Sequence, residues 1–187
     1  KNVKQIGKLA LPRIIELSFL QVGKTVELLL SSLISTAAYT YFTFGNTLQL
    51  LPVGLFGTSI AKAALPTLSR EADSPEKFAK TLSQSLYQIV FLVIPIATVL
   101  IVLRIPIVRL VYGTEIFSWE STVQTGYVVS AFAFGVVFQA ATAILARGFY
   151  AMGDTKTPVI VSIASISLVV IASVVFILGL SIPVWGL

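Results

Sequence analysis

Residues 121–146 read STVQTGYVVSAFAFGVVFQAATAILA, a run of 26 residues without one charged side chain. Three further charge-free runs cover residues 28–61, 81–103 and 157–187. A helix needs about 20 apolar residues to cross the hydrocarbon core of a bilayer, so each run is long enough to contain such a helix. The sequence therefore predicts an all-α fold, a polytopic membrane helix bundle.

The composition of the chain supports this fold class and excludes several kinds of site. Hydrophobic residues make up 56% of the 187 residues and charged residues only 11%, whereas a soluble domain has about 25% charged residues. Because the sequence contains no cysteine and no histidine, it cannot form disulfides, thiolate metal sites, imidazole bases or histidine-based zinc and haem sites. No nucleotide-binding loop motif is present. We therefore expect no enzyme active site, no cofactor and no metal.

Five complete transmembrane helices and one short interfacial helix are predicted within a single transmembrane domain, residues 1–187. The helices cover about residues 11–35, 41–68, 82–103, 122–146 and 158–180, and the interfacial segment covers about residues 104–112. Pro52 and Pro95 are expected to kink these helices and not to end them. Residues 181–187 are expected to open a sixth helix. Both chain ends look cut, so we expect a fragment of a longer membrane protein.

The basic residues predict the orientation in the membrane. If the N-terminus of the segment is cytoplasmic, ten Lys and Arg residues lie on the cytoplasmic side and only Arg104 and Arg109 lie outside. Positive charge is enriched in cytoplasmic loops, so we expect this orientation. Because the basic residues lie at the ends of apolar runs, the net charge of +5 does not indicate a nucleic acid partner.

The first predicted span carries four ionisable residues, Arg13, Glu16, Lys24 and Glu27. At about 100° per residue they share one helical stripe about 80° wide. A charge at the centre of a bilayer costs about 2.5–3.5 kcal/mol, so this stripe should face protein or a wet cavity. Two interpretations stay open: Lys24 and Glu27 form a structural ion pair, or they line a hydrated cavity that contacts a charged substrate.

Other polar residues also have two interpretations. Asn46 and Gln49 lie three residues apart on one helical face, so they either bond to neighbouring helices or line the cavity. Asp154 and Thr157 belong either to a turn that caps the fifth helix or to a phosphate site. We favour the turn.

Three groups of motifs resemble the MurJ/MviN family of lipid II flippases. They are LPVGLFG at residues 51–57 with AALPTLSR at 63–70, PIVRLVYG at 106–113, and RGFYA at 147–151 with DTKTP at 154–158. The motif positions that we single out are Pro52, Gly54, Gly57, Pro66, Arg147, Asp154, Thr157 and Pro158. The resemblance covers roughly residues 10–180. The family belongs to the multidrug/oligosaccharidyl-lipid/polysaccharide exporter superfamily.

The resemblance implies a fold and a function. The chain would be one lobe of a two-lobed transporter in the bacterial cytoplasmic membrane, and the N-terminal lobe of the same protein would be its partner. The substrate would be lipid II, an undecaprenyl-pyrophosphate-linked glycan, moved from the inner to the outer leaflet by alternating access. Lys24 would be the counter-charge of the pyrophosphate, Glu27 would hold Lys24, and Asn46 and Gln49 would bond to the head group.

The sequence departs from the family at Thr47, where members commonly carry Arg. Two other functions therefore stay open. One is a multidrug or organic-cation antiporter of the same superfamily, for which Glu27 is the deep carboxylate. The other is a truncated half protein that does not transport.

Overall fold

A computed structural model describes the backbone of residues 2–35 and 37–180. The side chains of residues 2–13, 15, 16, 34 and 176–180 lie outside this description. The predicted opening of a sixth helix at residues 181–187 also lies outside the described residues.

The described residues form seven α-helices and one π-helical segment, and they contain no strand. The elements in chain order are α1 (Asn2–Ile34), α2 (Ala38–Pro52), the π-helical segment (Val53–Thr58), α3 (Ser59–Arg70), α4 (Pro75–Val102), α5 (Arg104–Tyr112), α6 (Trp119–Ala151) and α7 (Lys156–Leu180). The predicted all-α fold is confirmed, and the segment predicted to be interfacial is the separate short helix α5.

Four helical stretches of the described residues are long and apolar enough to cross a bilayer, where the sequence predicted five. They are Ala38–Arg70, Pro75–Val102, Trp119–Ala151 and Lys156–Val175. The span predicted at residues 11–35 is not one of them, although α1 is helical over this range. The side chains of α1 are described without a gap only over residues 17–33, which is shorter than a span of about 20 residues, so this predicted span is not tested.

Neither of the two prolines predicted to kink the spans ends its helical stretch. Pro95 lies inside α4, which continues on both sides of it. Pro52 is the last residue of α2, and the chain continues directly into the π-helical segment and then α3. Proline removes one backbone hydrogen bond from a helix, and a π-helical turn is a common local response to such a disruption. The predicted second span is therefore one helical stretch whose winding changes after Pro52.

The chain divides into two compact units, which are described separately. The first consists of Lys1–Tyr39 and Gly153–Leu187, and the second of Thr40–Met152. In the first unit α1 packs against α7. A Cβ atom added to Gly23 would lie 3.2 Å from Cγ2 of Ile166, so this glycine allows the two helices to approach closely.

The second unit is organised around α6, which packs against α3, α4, α5 and the π-helical segment. Its buried side chains form two clusters. The first contains Val53, Ala61, Leu68, Ile89, Val93, Val136, Ala140 and Ile144. The second contains Leu48, Leu100, Val108, Val129 and Ala133. Because α6 contributes side chains to both clusters, it is the central helix of this unit.

The π-helical segment contacts α6 through Gly57. A Cβ atom added to Gly57 would lie 3.0 Å from both Cα and Cβ of Ala140, whereas a Cβ atom added to Gly54 would meet nothing within 4 Å. The hydroxyls of Thr58 and Ser59 both donate to the carbonyl of Gly54 at 3.0 Å. Helix packing therefore requires a glycine at position 57 and not at position 54.

We expect Gly57→Val to destabilise the second unit by about 1–3 kcal/mol, because the added side chain would collide with α6. Gly54→Val is the matched control: it introduces the same β-branched side chain into the same segment, but into open space. Thermal unfolding of the purified protein in detergent measures both. An equal loss of stability in the two variants would contradict this account of the packing.

Candidate functional site

The charged residues predicted in α1 lie on an accessible part of the first unit. The side chain of Lys24 is exposed and that of Glu27 is half-buried. One turn further on, Ser31 is fully buried, and its hydroxyl donates to the carbonyl of Glu27 and, at 3.3 Å, to that of Leu28. The carboxylate of Glu27 is not used by that serine, and the ammonium of Lys24 is accessible to an anion.

The remaining members of the predicted stripe are only partly described. The backbones of Arg13 and Glu16 belong to α1, but their side chains lie outside the described residues. Their place on the same helical face as Lys24 and Glu27 follows from helical periodicity alone.

A second polar strip on α1 was missed by the sequence analysis. Ser18, Gln21 and Thr25, together with two valines, line a shallow open depression. The hydroxyls of Ser18 and Thr25 donate to backbone carbonyls four residues earlier, at 2.9 and 3.0 Å, whereas Gln21 is exposed. Ser18, Gln21 and Thr25 are three and four residues apart, so the sequence alone places them on one face of the helix. They were missed because they carry no charge. By helical periodicity Gln21 lies about 60° from Lys24, so the polar sector of α1 is wider than the charged stripe.

The two amides predicted in the second span bond to each other. Nε2 of Gln49 donates to Oδ1 of Asn46 at 2.8 Å. Gln49 is buried and Asn46 is half-buried. Both residues belong to α2, so this hydrogen bond lies within one helix. It satisfies one amide with the other and leaves the second N–H of Gln49 and the NH₂ group of Asn46 for other partners.

Thr47, which stands where the family commonly has Arg, belongs to a small cluster of polar and aromatic groups. Its hydroxyl donates to the carbonyl of Thr43 at 2.8 Å. The ring of Tyr112 stacks on that of Phe44 with centroids 4.2 Å apart, and its hydroxyl donates to the carbonyl of Phe44 at 3.3 Å. Burial raises the pKa of Tyr112, and a hydrogen bond with Thr47 acts in the opposite direction. The hydroxyl of Tyr112 therefore stays protonated at neutral pH.

Asp154 caps α7. Its Oδ1 accepts hydrogen bonds from the backbone N–H groups of Lys156 at 2.9 Å and Thr157 at 3.1 Å. Hydrogen bonds from Thr157, and to a smaller extent from Lys156, lower the pKa of Asp154 below its usual range. The amides that would bind a phosphate at this helix end are thus occupied by a carboxylate, which favours the turn over a phosphate site.

Three other motif residues lie in helices. Pro158 is buried in the first turn of α7, and Pro66 is exposed inside α3. The guanidinium carbon of Arg147 lies 5.7 Å from the ring centre of Tyr150 in α6. Such cation–π contacts fix a long side chain against its own helix.

Comparison with known proteins identifies the family. The family model described as "Lipid II flippase MurJ" matches residues 1–187. The chain is 30% identical over 171 residues to the probable lipid II flippase MurJ of Haemophilus influenzae, covering 87% of this chain and 34% of that protein. It is 31% identical over 161 residues to that of Rhizobium meliloti, covering 85% of this chain and 30% of that protein.

A solved structure of the lipid II flippase MurJ in an inward closed conformation is also similar. Its TM-score is 0.84 at 26% sequence identity, and the match covers 100% of this chain and 39% of that chain. The chain spans about a third of the length of the curated relatives that it matches, 34% in the Haemophilus influenzae protein.

We expect Asp154→Ala to weaken the start of α7, because two backbone N–H groups lose their acceptor. Amide hydrogen exchange of Lys156 and Thr157 should become faster. The effect depends on pH: since the folded pKa lies below the unfolded one, the carboxylate stabilises the fold above the unfolded value, and this stability is lost as pH falls through the folded value. Asp73→Ala, an exposed acidic residue between α3 and α4, is the control. Unchanged exchange in Asp154→Ala would show that this cap has no role.

Proposed function

Because the chain belongs to the MurJ family of lipid II flippases, we propose that it forms part of a transporter that moves lipid II across the bacterial cytoplasmic membrane. The family match over all 187 residues supports this proposal. The four apolar helical stretches agree with a multi-pass membrane protein. Because the chain spans about a third of its relatives, the proposal includes a further lobe that completes the transport path.

The transport of lipid II requires a charged head group to pass through the hydrocarbon core of the bilayer. A pyrophosphate linked to a glycan cannot enter the bilayer core without a substitute for its hydration. A cationic, wet surface supplies that substitute, and alternating access then changes the side to which it opens. The protein must therefore present a positive side chain within a membrane-spanning region.

The single observation that carries the proposal is the environment of Lys24. Its side chain is exposed on α1, beside the half-buried Glu27, and exposed large hydrophobic residues such as Leu28 and Leu29 flank the pair. A charge facing lipid at this depth would cost about 2.5–3.5 kcal/mol. We therefore assign this face of α1 to a wet transport path, with Lys24 on the pyrophosphate and Glu27 moderating its charge.

The neutral part of the substrate needs hydrogen bonds rather than charge. The exposed amide of Gln21 lies on the polar strip of α1, next to Lys24 in helical projection. Asn46 and Gln49 keep free N–H groups after bonding to each other. The exposed Gln21 and the half-buried Asn46 can each bind a sugar or peptide group, whereas Gln49 is buried and orients the amide of Asn46.

Substitution of Lys24 tests this assignment. We expect Lys24→Gln to reduce flipping about tenfold or more, equivalent to about 1.4 kcal/mol or more of lost stabilisation, and Lys24→Glu to abolish it. The measurement is rescue of bacteria depleted of their own flippase by the full-length protein, together with lipid II translocation in vesicles. Lys62→Gln, which removes an exposed cation from α3, is the matched control and should retain activity.

Glu27→Gln separates a flippase from an antiporter. A flippase should tolerate this change better than Lys24→Gln, whereas an antiporter that exchanges protons or sodium needs the carboxylate. Rescue by Lys24→Glu at the level of the native protein would overturn the assignment of Lys24.

The orientation is tested by cysteine labelling, for which the sequence is suited because it contains no native cysteine. Lys77, near the start of α4, is proposed to be cytoplasmic, and Ile116, 96% exposed between α5 and α6, is proposed to be external. A membrane-impermeant maleimide should label Ile116→Cys in intact cells and Lys77→Cys only after permeabilisation. The reverse pattern would contradict the proposed orientation.

A further inference from the structure

Arg104 is held in a fixed position where α4 meets α5. Its Nη1 donates to the carbonyl of Ile101 at 3.0 Å, and its guanidinium carbon lies 5.8 Å from the ring centre of Tyr127 in α6. A Cβ atom added to Gly126 would lie 3.6 and 3.8 Å from Cγ and Cδ of Arg104, so the arginine stem crosses α6 at a glycine. These contacts orient the guanidinium without neutralising it.

The hydrogen bonding of this guanidinium is incomplete. An arginine carries five N–H donors, and within the described part of the chain one of its nitrogens bonds to a neutral carbonyl. Its Nε atom is buried and has no hydrogen-bond partner. A buried donor without an acceptor costs about 1–3 kcal/mol, more when the group is charged. An acceptor from outside the protein can reach the Nη groups and not the buried Nε, and a positive charge favours an anionic acceptor there.

The surroundings of Arg104 indicate where that acceptor comes from. The side chains of Val102, Leu103, Leu110, Ile116 and Trp119 are all exposed and apolar. Leu110 is 87% exposed and Ile116 is 96% exposed, which water alone would not favour. They follow the end of α4 and precede or open α6, both long enough to cross a bilayer. Trp and Tyr at the ends of membrane helices are typical of the headgroup region.

We propose that Arg104 binds the phosphate group of a membrane lipid at the bilayer surface beside α5. The guanidinium presents its free N–H groups to the phosphate oxygens, a geometry that suits arginine. The ring of Tyr127 covers one face of the guanidinium, and the positive end of the α5 dipole lies at the same residue. The lipid chains cover the exposed apolar side chains of α5. This lipid site does not depend on which substrate the protein carries.

Arg109, on the same helix, provides the contrast. Its Nη1 donates to the carbonyl of Phe117 at 2.8 Å and so closes the segment between α5 and α6. Its side chain is exposed, whereas that of Arg104 is half-buried against α6. The two arginines carry the same charge and lie on the same short helix. Comparing Arg104→Gln with Arg109→Gln therefore distinguishes a specific phosphate site from an effect of general surface charge.

The test measures how lipid stabilises the purified full-length protein in detergent. Phosphatidylglycerol is titrated while thermal unfolding is followed, and bound lipids are counted by native mass spectrometry. We expect Arg104→Gln to weaken phosphatidylglycerol binding about tenfold, as the loss of one bidentate charged contact does, and Arg109→Gln to bind like the native protein. Because Arg104→Gln also removes the bond to Ile101, the quantity compared is the stabilisation added by lipid. Arg104→Lys should bind with intermediate affinity, and Tyr127→Leu should bind more weakly than the native protein.

Two further ligands identify the source of the phosphate. Diacylglycerol, which has the acyl chains without a phosphate, should not reproduce the stabilisation, and neither should inorganic phosphate without acyl chains. Equal stabilisation by either ligand would overturn the proposal in favour of a purely apolar or a free-anion site. Native-like phosphatidylglycerol binding by Arg104→Gln, or an equal loss in Arg109→Gln, would also overturn it. If Arg104→Gln does not fold, the test uses Arg104→Lys and Tyr127→Leu instead. Native affinity of both variants for phosphatidylglycerol would refute the site.

Discussion

The exclusion of charge from hydrocarbon is the constraint on which this structure depends. It explains why the long helices α4, α6 and α7 are almost free of ionisable residues over their apolar lengths, and why basic residues collect at helix ends. It also makes the charges of α1 the exception that needs a reason. Lys24 remains exposed in a helix that elsewhere exposes leucine and valine, so the chain tolerates an energetic cost there that it avoids in its other long helices.

Polar side chains inside the other helices satisfy the same constraint locally. Hydroxyls such as those of Ser85, Thr98 and Thr142 donate to the carbonyl four residues earlier in their own helix. Such bonds remove the penalty of a polar group in an apolar medium without a partner helix. An ammonium cannot be neutralised in this way, since a carbonyl compensates no charge. The local bonding of the hydroxyls therefore distinguishes Lys24 as a group whose charge needs an anionic partner, which can be Glu27 or an anion from outside the chain.

The sequence could predict features that depend on hydropathy averaged over long segments or on the spacing of nearby residues. The charge-free runs indicated the helices, and Asp154 next to the start of α7 indicated its cap. It could not predict the π-helical segment, because Pro52 shows only that one backbone hydrogen bond is missing and not how the helix winds after it. Nor could it show that Gly57 meets Ala140 across a tertiary contact. Nor could it show that Asn46 and Gln49 bond to each other. Spacing placed them on one face, but the choice between a neighbour on the same helix and one elsewhere is a matter of rotamers and burial. The fifth predicted span, at α1, stays a prediction, because the side chains of this helix are described without a gap only over residues 17–33.

The site at Thr47 shows how the charge of a transport path can be redistributed. The hydroxyl of Thr47 donates to the carbonyl of Thr43, so α2 presents no cation at the position where the family commonly has one. Under the proposed function the pyrophosphate still favours a counter-charge, because burying a charge costs least when it is both paired with an opposite charge and hydrogen-bonded. Among the described side chains of α1 and α2, Lys24 is a cation placed within a membrane-length helix. The exposed ammonium of Lys24 is therefore the group on which the proposed function depends for this counter-charge.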